Sequence, residues 1–525
     1  MTGKRSYNMI IRGGNITMTR KAGMRKAGIA TMGIMVGAAA LLAGCGSDKS
    51  PAAGGTGNSS APETKQPLKL SIMTLMYAEP PKADSDVQKK IEEYTNSKID
   101  ISWVPNSSYK EKVNVTIASG ELPKALLVQN NKDSNILSAV RAGVFWEVGP
   151  YLSDYPNLSK MNKSVFDNIK VDGKIYGLYR ARDLTTYGII FRSDWLKNVG
   201  LSQPKTIDDL YNVFKAFTLN DPDKNGKQDT VGLTEEKAMD GFGVIAAYMG
   251  APNGWEVKDG KMSPDFLSPE YYEAMKFYKR LYDEKLIKQD FPVLNTQQKK
   301  DDINQGKAGA VISNLIDGAS YQASLTKTFP GADVDVVSRI TGPKGERTPG
   351  GLGYNSVFMF PKSSVKTEAE LKQILGFYDK LSDQKMLDLL GWGIEGRHYK
   401  LEESKPVFID QKLQDTEVGS SYLQLQVAKY TAKTTGKETP LMEKYGKMIK
   451  ENESIAVGNP TNPLVSETQT TKGSELKPII DDARTKFILG KLDEAGWKQA
   501  IDQWRKAGGD KVIEEFSSQY GKTGK

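Results

Sequence analysis

The sequence predicts an α/β fold with parallel-type sheets flanked by helices and a helix-rich C-terminal part. Three observations point there. Residues 68–74 (LKLSIMT) alternate apolar and polar side chains, the period of a strand with one buried face. Residues 86–97 place Val87, Ile91 and Tyr94 at helical spacing, with Asp84 or Ser85 as the cap. The pattern then repeats, with a strand over 99–104, a helix over 110–119 bearing Val113, Ile117 and Ala118 on one face, and a strand over 125–129. Strands alternating with helices build βαβ units and hence a parallel sheet. From Pro361 onward helical periodicity dominates, over 368–381, 383–390, 422–431, 441–450, 476–489 and 497–508.

Length and composition fit several soluble domains. The chain has 525 residues, 38% apolar and 26% charged, values that allow a large core and argue against a polytopic membrane protein or a disordered chain. One His and one Cys exclude a multi-His or Cys-rich zinc site and an intrachain disulfide by counting. The formal charge of +8 is concentrated in residues 1–44, which hold seven basic residues and no acid; the remainder balances 65 basic against 64 acidic residues. No basic stripe is left to release counterions from a polyanion, so no nucleic-acid partner is expected.

The N-terminus reads as an address. Arg20, Lys21, Arg25 and Lys26 precede an apolar run over 27–44, the pattern of an export signal. The run ends in Leu42-Ala43-Gly44-Cys45, which resembles the lipobox of bacterial lipoproteins; that resemblance implies cleavage before Cys45 and lipidation of its thiol. Met18 or Met24 is an alternative initiator. Residues 45–67 are rich in Gly, Ser, Ala and Pro and read as a flexible tether spanning on the order of 25 Å.

In parallel sheets, ligands sit beyond the carboxyl ends of the strands. That rule selects Tyr77, Glu79 and Asn130 as candidates. One chemical motif stands out. Asp221-Pro222-Asp223-Lys224-Asn225-Gly226-Lys227-Gln228-Asp229 matches the start of an EF-hand-like calcium loop, with ligands at Asp221, Asp223, Asn225, the Lys227 carbonyl and Asp229, and Gly226 for the sharp turn. Position 12 is Gly232 instead of Glu, so Glu235 or Glu236 would have to return as the bidentate ligand. The alternative is an Asp/Asn/Gly turn without an ion.

Several segments carry a family resemblance. Residues 118–123 (ASGELP), 171–178 (VDGKIYGL), 191–196 (FRSDWL), 306–310 (GKAGA), and Gly393-Ile394-Glu395-Gly396 with Tyr399 resemble, in order, motifs of extracellular solute-binding proteins that serve ABC sugar importers. The branch they resemble is the lipoprotein branch that includes alginate- and oligosaccharide-binding proteins. Lys124 stands where the first of these motifs usually has Asp.

That resemblance implies a two-lobe periplasmic-binding-protein-like clamp of type II. The lobes would comprise 68–185 plus 351–405 and 186–350 plus 406–525. The chain would cross near 178–187 and 350–354, with a third crossing near Lys405. Gly350-Gly351-Leu352-Gly353 suits a hinge on physical grounds alone. The implied function is capture of an oligosaccharide in the cleft by a monomer tethered outside the membrane, and its delivery to an ABC permease; the calcium of the acidic loop would be structural.

Sugars need flat aromatic platforms and planar polar groups. Candidates in turns are Tyr77, Trp255, Tyr354, Asn355, Trp392, Asn314 and Asp317. Trp195, Trp497 and Trp504 read as core, and Trp103 as either. Arg180, Arg182 and Arg192 cluster near the first crossing. They suit either an acidic sugar, with Arg182 as its ligand, or salt bridges to Asp183 and Asp194. Two other readings stay open: a secreted polysaccharide lyase or glycosidase, for which His398 and Tyr399 offer a base pair, and a binder of a peptide or another non-sugar solute.

Overall fold

Nine strands form the two main sheets, and the order in which the chain visits them explains the architecture. The structure, a computed structural model, describes residues 66–429 and 439–522. The export signal, Cys45 and all but the end of the tether lie outside the described residues.

In the first lobe, β1 (Leu68–Met76) pairs in parallel with β2 (Ser97–Pro105) and β3 (Ala125–Val128). Helix Asp86–Thr95 joins β1 to β2, with Ser85 accepting the Gln88 N–H as its cap. Next in sequence comes β4 (Gly177–Ala181). In the second lobe, β5 (Tyr187–Arg192), β6 (Val231–Thr234), β7 (Ala308–Asn314) and β8 (Val334–Val337) form a four-stranded sheet in the order β8-β5-β7-β6. The chain then returns as β9 (Tyr354–Met359), which inserts between β3 and β4 to complete the first sheet, β2-β1-β3-β9-β4.

The sheets are therefore mixed. β9 runs antiparallel to both neighbours in the first sheet, and β5 does so in the second. These are the strands that enter each lobe from the other, so their direction follows from the crossing. Both faces of the second sheet are covered: Ile189 and Phe191 of β5 point into one apolar cluster and Ile190 into another, as the alternation of a strand requires.

The first crossing is residues 182–186 and the second 338–353. They hydrogen-bond to each other, Arg182 N to Gly353 O at 2.8 Å and Gly351 N to Leu184 O at 2.6 Å. Gly350 N adds a bond to Val457 O at 2.9 Å, and the Asn253 amide ties Gly350 O to Val457 O. Among the three glycines of 350–353, Gly353 alone has a positive φ (+77°), and a Cβ there would lie 2.4 Å from Val165. Conformation and space both demand glycine at that position.

The third crossing is not near Lys405. Val418, Tyr422, Leu425 and Val427 pack into the first-lobe core, and the chain joins the second lobe with helix Pro440–Asn452, whose Tyr445 and Ile449 pack there. Residues 406–427 thus extend the first lobe. Their apolar side chains fit either core in the sequence, and the bonds of Ala181 N to Val427 O (2.9 Å) and of Arg180 to Leu423 O and Gln426 O show which edge they line. The helix expected over 422–431 is, in its described part, a single 3₁₀ turn, Tyr422–Leu425, followed by irregular chain to residue 429. A hairpin, Tyr399–Glu402 with Lys405–Phe408, was also invisible to helical periodicity.

Candidate ligand cleft between the lobes

The carboxyl ends of β1 and β3 face this junction from the first lobe. Tyr77 and Glu79 follow β1, and both are exposed. Asn130 follows β3; its side chain accepts the Lys132 N–H at 3.0 Å and donates to Asp133 at 2.7 Å, which folds the loop into a tight turn. Beneath it, buried Asn131 donates to Ile169 O and meets the Tyr354 hydroxyl at 3.4 Å. Burial raises the Tyr354 phenol to about 12.

This turn borders a cavity of about 510 Å³ that joins the lobes. The first lobe contributes Lys110, Asn130, Lys132 and Tyr354, the segment leading into helix Glu467–Ile488 contributes Asn462, and the first turn of that helix contributes Gln469. The walls combine amide, hydroxyl and ammonium groups with the apolar side chains of Leu352, Leu464, Val465 and Phe516. Lys110 is paired with Asp133 at 2.9 Å. Lys132 donates instead to backbone carbonyls across the junction, Asn462 O and Leu464 O. Leu464 belongs to the second-lobe core and its neighbour Val465 to the first, so this is the seam between the two. Burial lowers the Lys132 ammonium to about 8.

At the first crossing, the expected salt bridges separate. Arg192 does pair with Asp194, at 2.5 Å, and lies over the Trp195 ring at 4.7 Å. Asp183 pairs with Lys429 rather than with Arg182. Arg180 is buried and donates to Leu423 O, Gln426 O and the Ser356 hydroxyl. Desolvation, then the neighbouring Arg182 charge, lowers it to about 9. Arg182 is lowered too, desolvation first, although its surface is open to solvent. Accessible atoms surrounded by protein mass describe a group on a concave wall.

On the second lobe, Asn314 ends β7 and Asp317 opens the helix that follows it. Asp317 accepts the Ser313 hydroxyl at 2.8 Å, and Asn314 accepts the Ile316 N–H at 3.3 Å. Beside them, burial raises the Tyr187 phenol, with Asp240, Asp317 and Glu236 adding to the shift and Lys299 opposing it. These residues do not line the cavity, and near them Lys299 is buried between Glu235 and Glu236. Burial pushes Glu235 up to about 7. Glu236 is pushed up by burial as well, but hydrogen bonds from Lys299 and Thr296 outweigh that and leave it lowered.

Not all of the aromatic candidates face the cavity. Trp255 packs edge-on against Phe516 at 5.1 Å; Phe516 lines the cavity and Trp255 backs it. Trp392 lies against Phe408 at 4.5 Å and covers the hairpin. Asn355 is exposed and accepts the Ser356 hydroxyl at 3.0 Å. Trp195, Trp497 and Trp504 are buried, and Trp103 meets Tyr422 edge-on at 6.1 Å. His398 does not present a free base. Its Nδ1 accepts the Ile394 N–H at 2.8 Å and its Nε2 meets Glu417 at 2.9 Å. Hydrogen bonds from Arg397 first, and from His398, hold the Glu417 carboxyl at about 2. Lys132 went unselected in the sequence, although the rule that chose Asn130 applies equally two residues later.

In the acidic loop, the Asp221 carboxylate accepts the N–H groups of Asn225 (3.1 Å) and Gly226 (3.0 Å). The Asn225 amide nitrogen donates to Asp223 (2.8 Å) and Asp229 (3.2 Å), so a donor stands between two carboxylates. Burial first, then the nearby Asp221 and Asp229, raises the Asp223 carboxyl, and its Oδ1 is buried without a hydrogen bond. Glu235 and Glu236 do not return to the loop, because Lys299, Thr296 and Tyr278 engage them. Among the described residues no three His, Cys, Asp or Glu side chains are grouped as a metal cage.

Residues 77–381 match the family model of bacterial extracellular solute-binding proteins. The chain belongs to that family. The polygalacturonan/rhamnogalacturonan-binding protein YtcQ of Bacillus subtilis (strain 168) is 40% identical over 91% of this chain and 96% of its own. Lipoprotein LipO of the same strain is 39% identical over 92% of this chain and 96% of its own. The HMO-binding, ABC-transporter-associated solute-binding protein of Bifidobacterium longum infantis ATCC 15697 superposes with a TM-score of 0.67, at 18% identity, over 87% of this chain and 99% of that one. The solute-binding protein thus has the type II periplasmic-binding-protein-like fold, with one strand reversed in each lobe.

Proposed function

We propose that this solute-binding protein captures an oligosaccharide between its lobes and hands it, chemically unaltered, to the permease of an ABC importer. The observation that carries this reading is the cavity at the junction, whose amide, hydroxyl and ammonium walls come from both lobes. Such walls pair sugar hydroxyls, which a cleft must do to repay their desolvation. The kinship with a polygalacturonan/rhamnogalacturonan-binding protein supports the ligand class. Because the walls belong to different lobes, a ligand that touches both favours their apposition.

The test is a thermal-shift screen of plant, algal and bacterial oligosaccharides, followed by small-angle scattering with the best ligand. A ligand at about 100 times its Kd adds roughly 2.7 kcal/mol of stability, and the scattering radius falls at saturation. An unchanged radius sinks the clamp, and new reducing ends on long incubation sink the claim of an unaltered ligand.

The same proposal places the protein as a monomer on the outer face of the membrane, anchored by a lipid on Cys45. Labelling with a radioactive fatty acid, lost in Cys45→Ser, checks the anchor.

The acidic loop is proposed to hold a structural calcium through Asp221, Asp223, Asp229, the Lys227 carbonyl and Asn225 Oδ1. The unpaired Asp223 oxygen and the mutual effect of the three carboxylates support it. Rotation of the Asn225 amide would exchange its donor for an acceptor. Calcorimetric titration of chelator-treated protein is expected to show calcium heat in the wild type and none in Asp223→Ala. Absence of heat at millimolar calcium rules the ion out.

A further inference from the structure

We propose that Lys132 reads a carboxylate of the bound oligosaccharide, so that the cavity at the lobe junction selects acidic, uronate-containing sugars over neutral ones. This inference rests on the oligosaccharide reading above and names the charge of the ligand and the residue that recognises it.

Charge balance around the cavity is the first argument. Its lining holds two cations, Lys110 and Lys132, and one acid, Asp133. Asp133 is taken by Lys110 at 2.9 Å. Lys132 makes no ion pair among the described residues, and the cavity is left one positive charge in excess. Its carbonyl partners are neutral, which is a poor exchange for water around an ammonium. Burial accordingly weakens its hold on the proton, and no acid within reach offsets the effect.

Donor geometry is the second. An ammonium has three N–H groups. The carbonyls of Asn462 and Leu464 account for two of them. The third is left for a ligand, and a carboxylate supplies both the missing acceptor and the missing charge. The neighbouring amides of Asn130, Asn462 and Gln469 suit the hydroxyls of the same sugar ring.

The third argument couples recognition to shape. Lys132 stands on the first lobe, and both carbonyls belong to the segment that enters the second. The carboxylate site is complete only when the two are apposed. An acidic ligand therefore strengthens the contact that holds the lobes together, whereas a neutral one leaves the ammonium uncompensated.

The test is titration calorimetry with trigalacturonate and with the same trisaccharide after reduction of its carboxyl groups to primary alcohols. In the wild type the acid is expected to bind at least about tenfold more tightly, the size of a desolvated charge-assisted bond. Lys132→Met is expected to lose about tenfold on the acidic probe and to bring the two probes within roughly threefold of each other, while Lys132→Arg keeps the preference. Binding of the neutral probe by Lys132→Met shows that the variant is folded. Equal binding of the two probes by the wild type, or a preference that survives Lys132→Met, overturns the inference and leaves the oligosaccharide reading standing. Silence of the wild type with both probes, and with every sugar of the screen, overturns the two together.

Discussion

Lys299→Met is expected to destabilise the second lobe by about 3–5 kcal/mol at neutral pH, the usual penalty for removing one partner of a buried ion pair. Lys299 is buried between Glu235 and Glu236, and both acids are buried with it. Glu235 lies so deep that its carboxyl rises to about 7, while Glu236 stays ionised because Lys299 and Thr296 donate to it. Their pH dependences have opposite signs. Glu235, raised above its unfolded value near 4.5, contributes stability that is full below about 4.5 and is lost as pH rises through 7. Glu236, lowered, contributes above 4.5 and loses that contribution as pH falls. In the variant, Glu236 keeps its burial and loses its main hydrogen bond, so it joins Glu235 in favouring the protonated form. The defect should therefore shrink between pH 8 and pH 5. Urea melts at both pH values check this; an equal loss at each refutes it.

Trp195→Ala is the second large effect, at about 3–5 kcal/mol for an aromatic ring removed from a packed core. Trp195 is fully buried, edge-on to Phe217 at 5.6 Å and under the Arg192 guanidinium. The strand beneath has Gly309, where a Cβ would stand 2.2 Å from Phe217 and 2.8 Å from Trp195. The glycine is thus the counterpart of the two rings. Gly309→Val alone is expected to cost about 1–3 kcal/mol or more through overpacking. Combined with Trp195→Ala, it should cost less than the sum, because the valine enters part of the vacated space. Denaturant midpoints of the two single variants and the double one decide; strict additivity would mean that the ring and the glycine are not coupled.

How much of this was legible in the sequence follows from which signals are local. The first βαβ units were readable because Leu70, Ile72 and Val87, Ile91 repeat with clean periods of 2 and 3.6 and bury those faces. Ser85 was one of two cap candidates, and only the hydrogen bond to Gln88 chooses it. The segment 406–427 shows the limit. Its apolar residues announce burial but not against which lobe, since that depends on an edge of β4 more than 200 residues earlier. The site divides the same way. Asn130 was found by its position after a strand, and Tyr354 by its place beside the glycines. Lys132 carries no pattern of its own, and its importance comes from carbonyls 330 and 332 residues away. Trp255 packs on Phe516 and Trp392 on Phe408, and the sequence could not foretell those partners because an aromatic in a turn looks the same whether it lines a cavity or props the wall behind it.

The insertion of β9 between β3 and β4 has a consequence for biosynthesis. Val128 finds its partner Val357 only after another 229 residues have been made. At the usual pace of translation that is a wait of roughly 10–45 s. Until then the nascent first lobe holds three strands with an unpaired border, and everything emitted in between belongs largely to its sibling. A chain so arranged ripens late, and its earliest third stays pliable until about two thirds of the whole has been made.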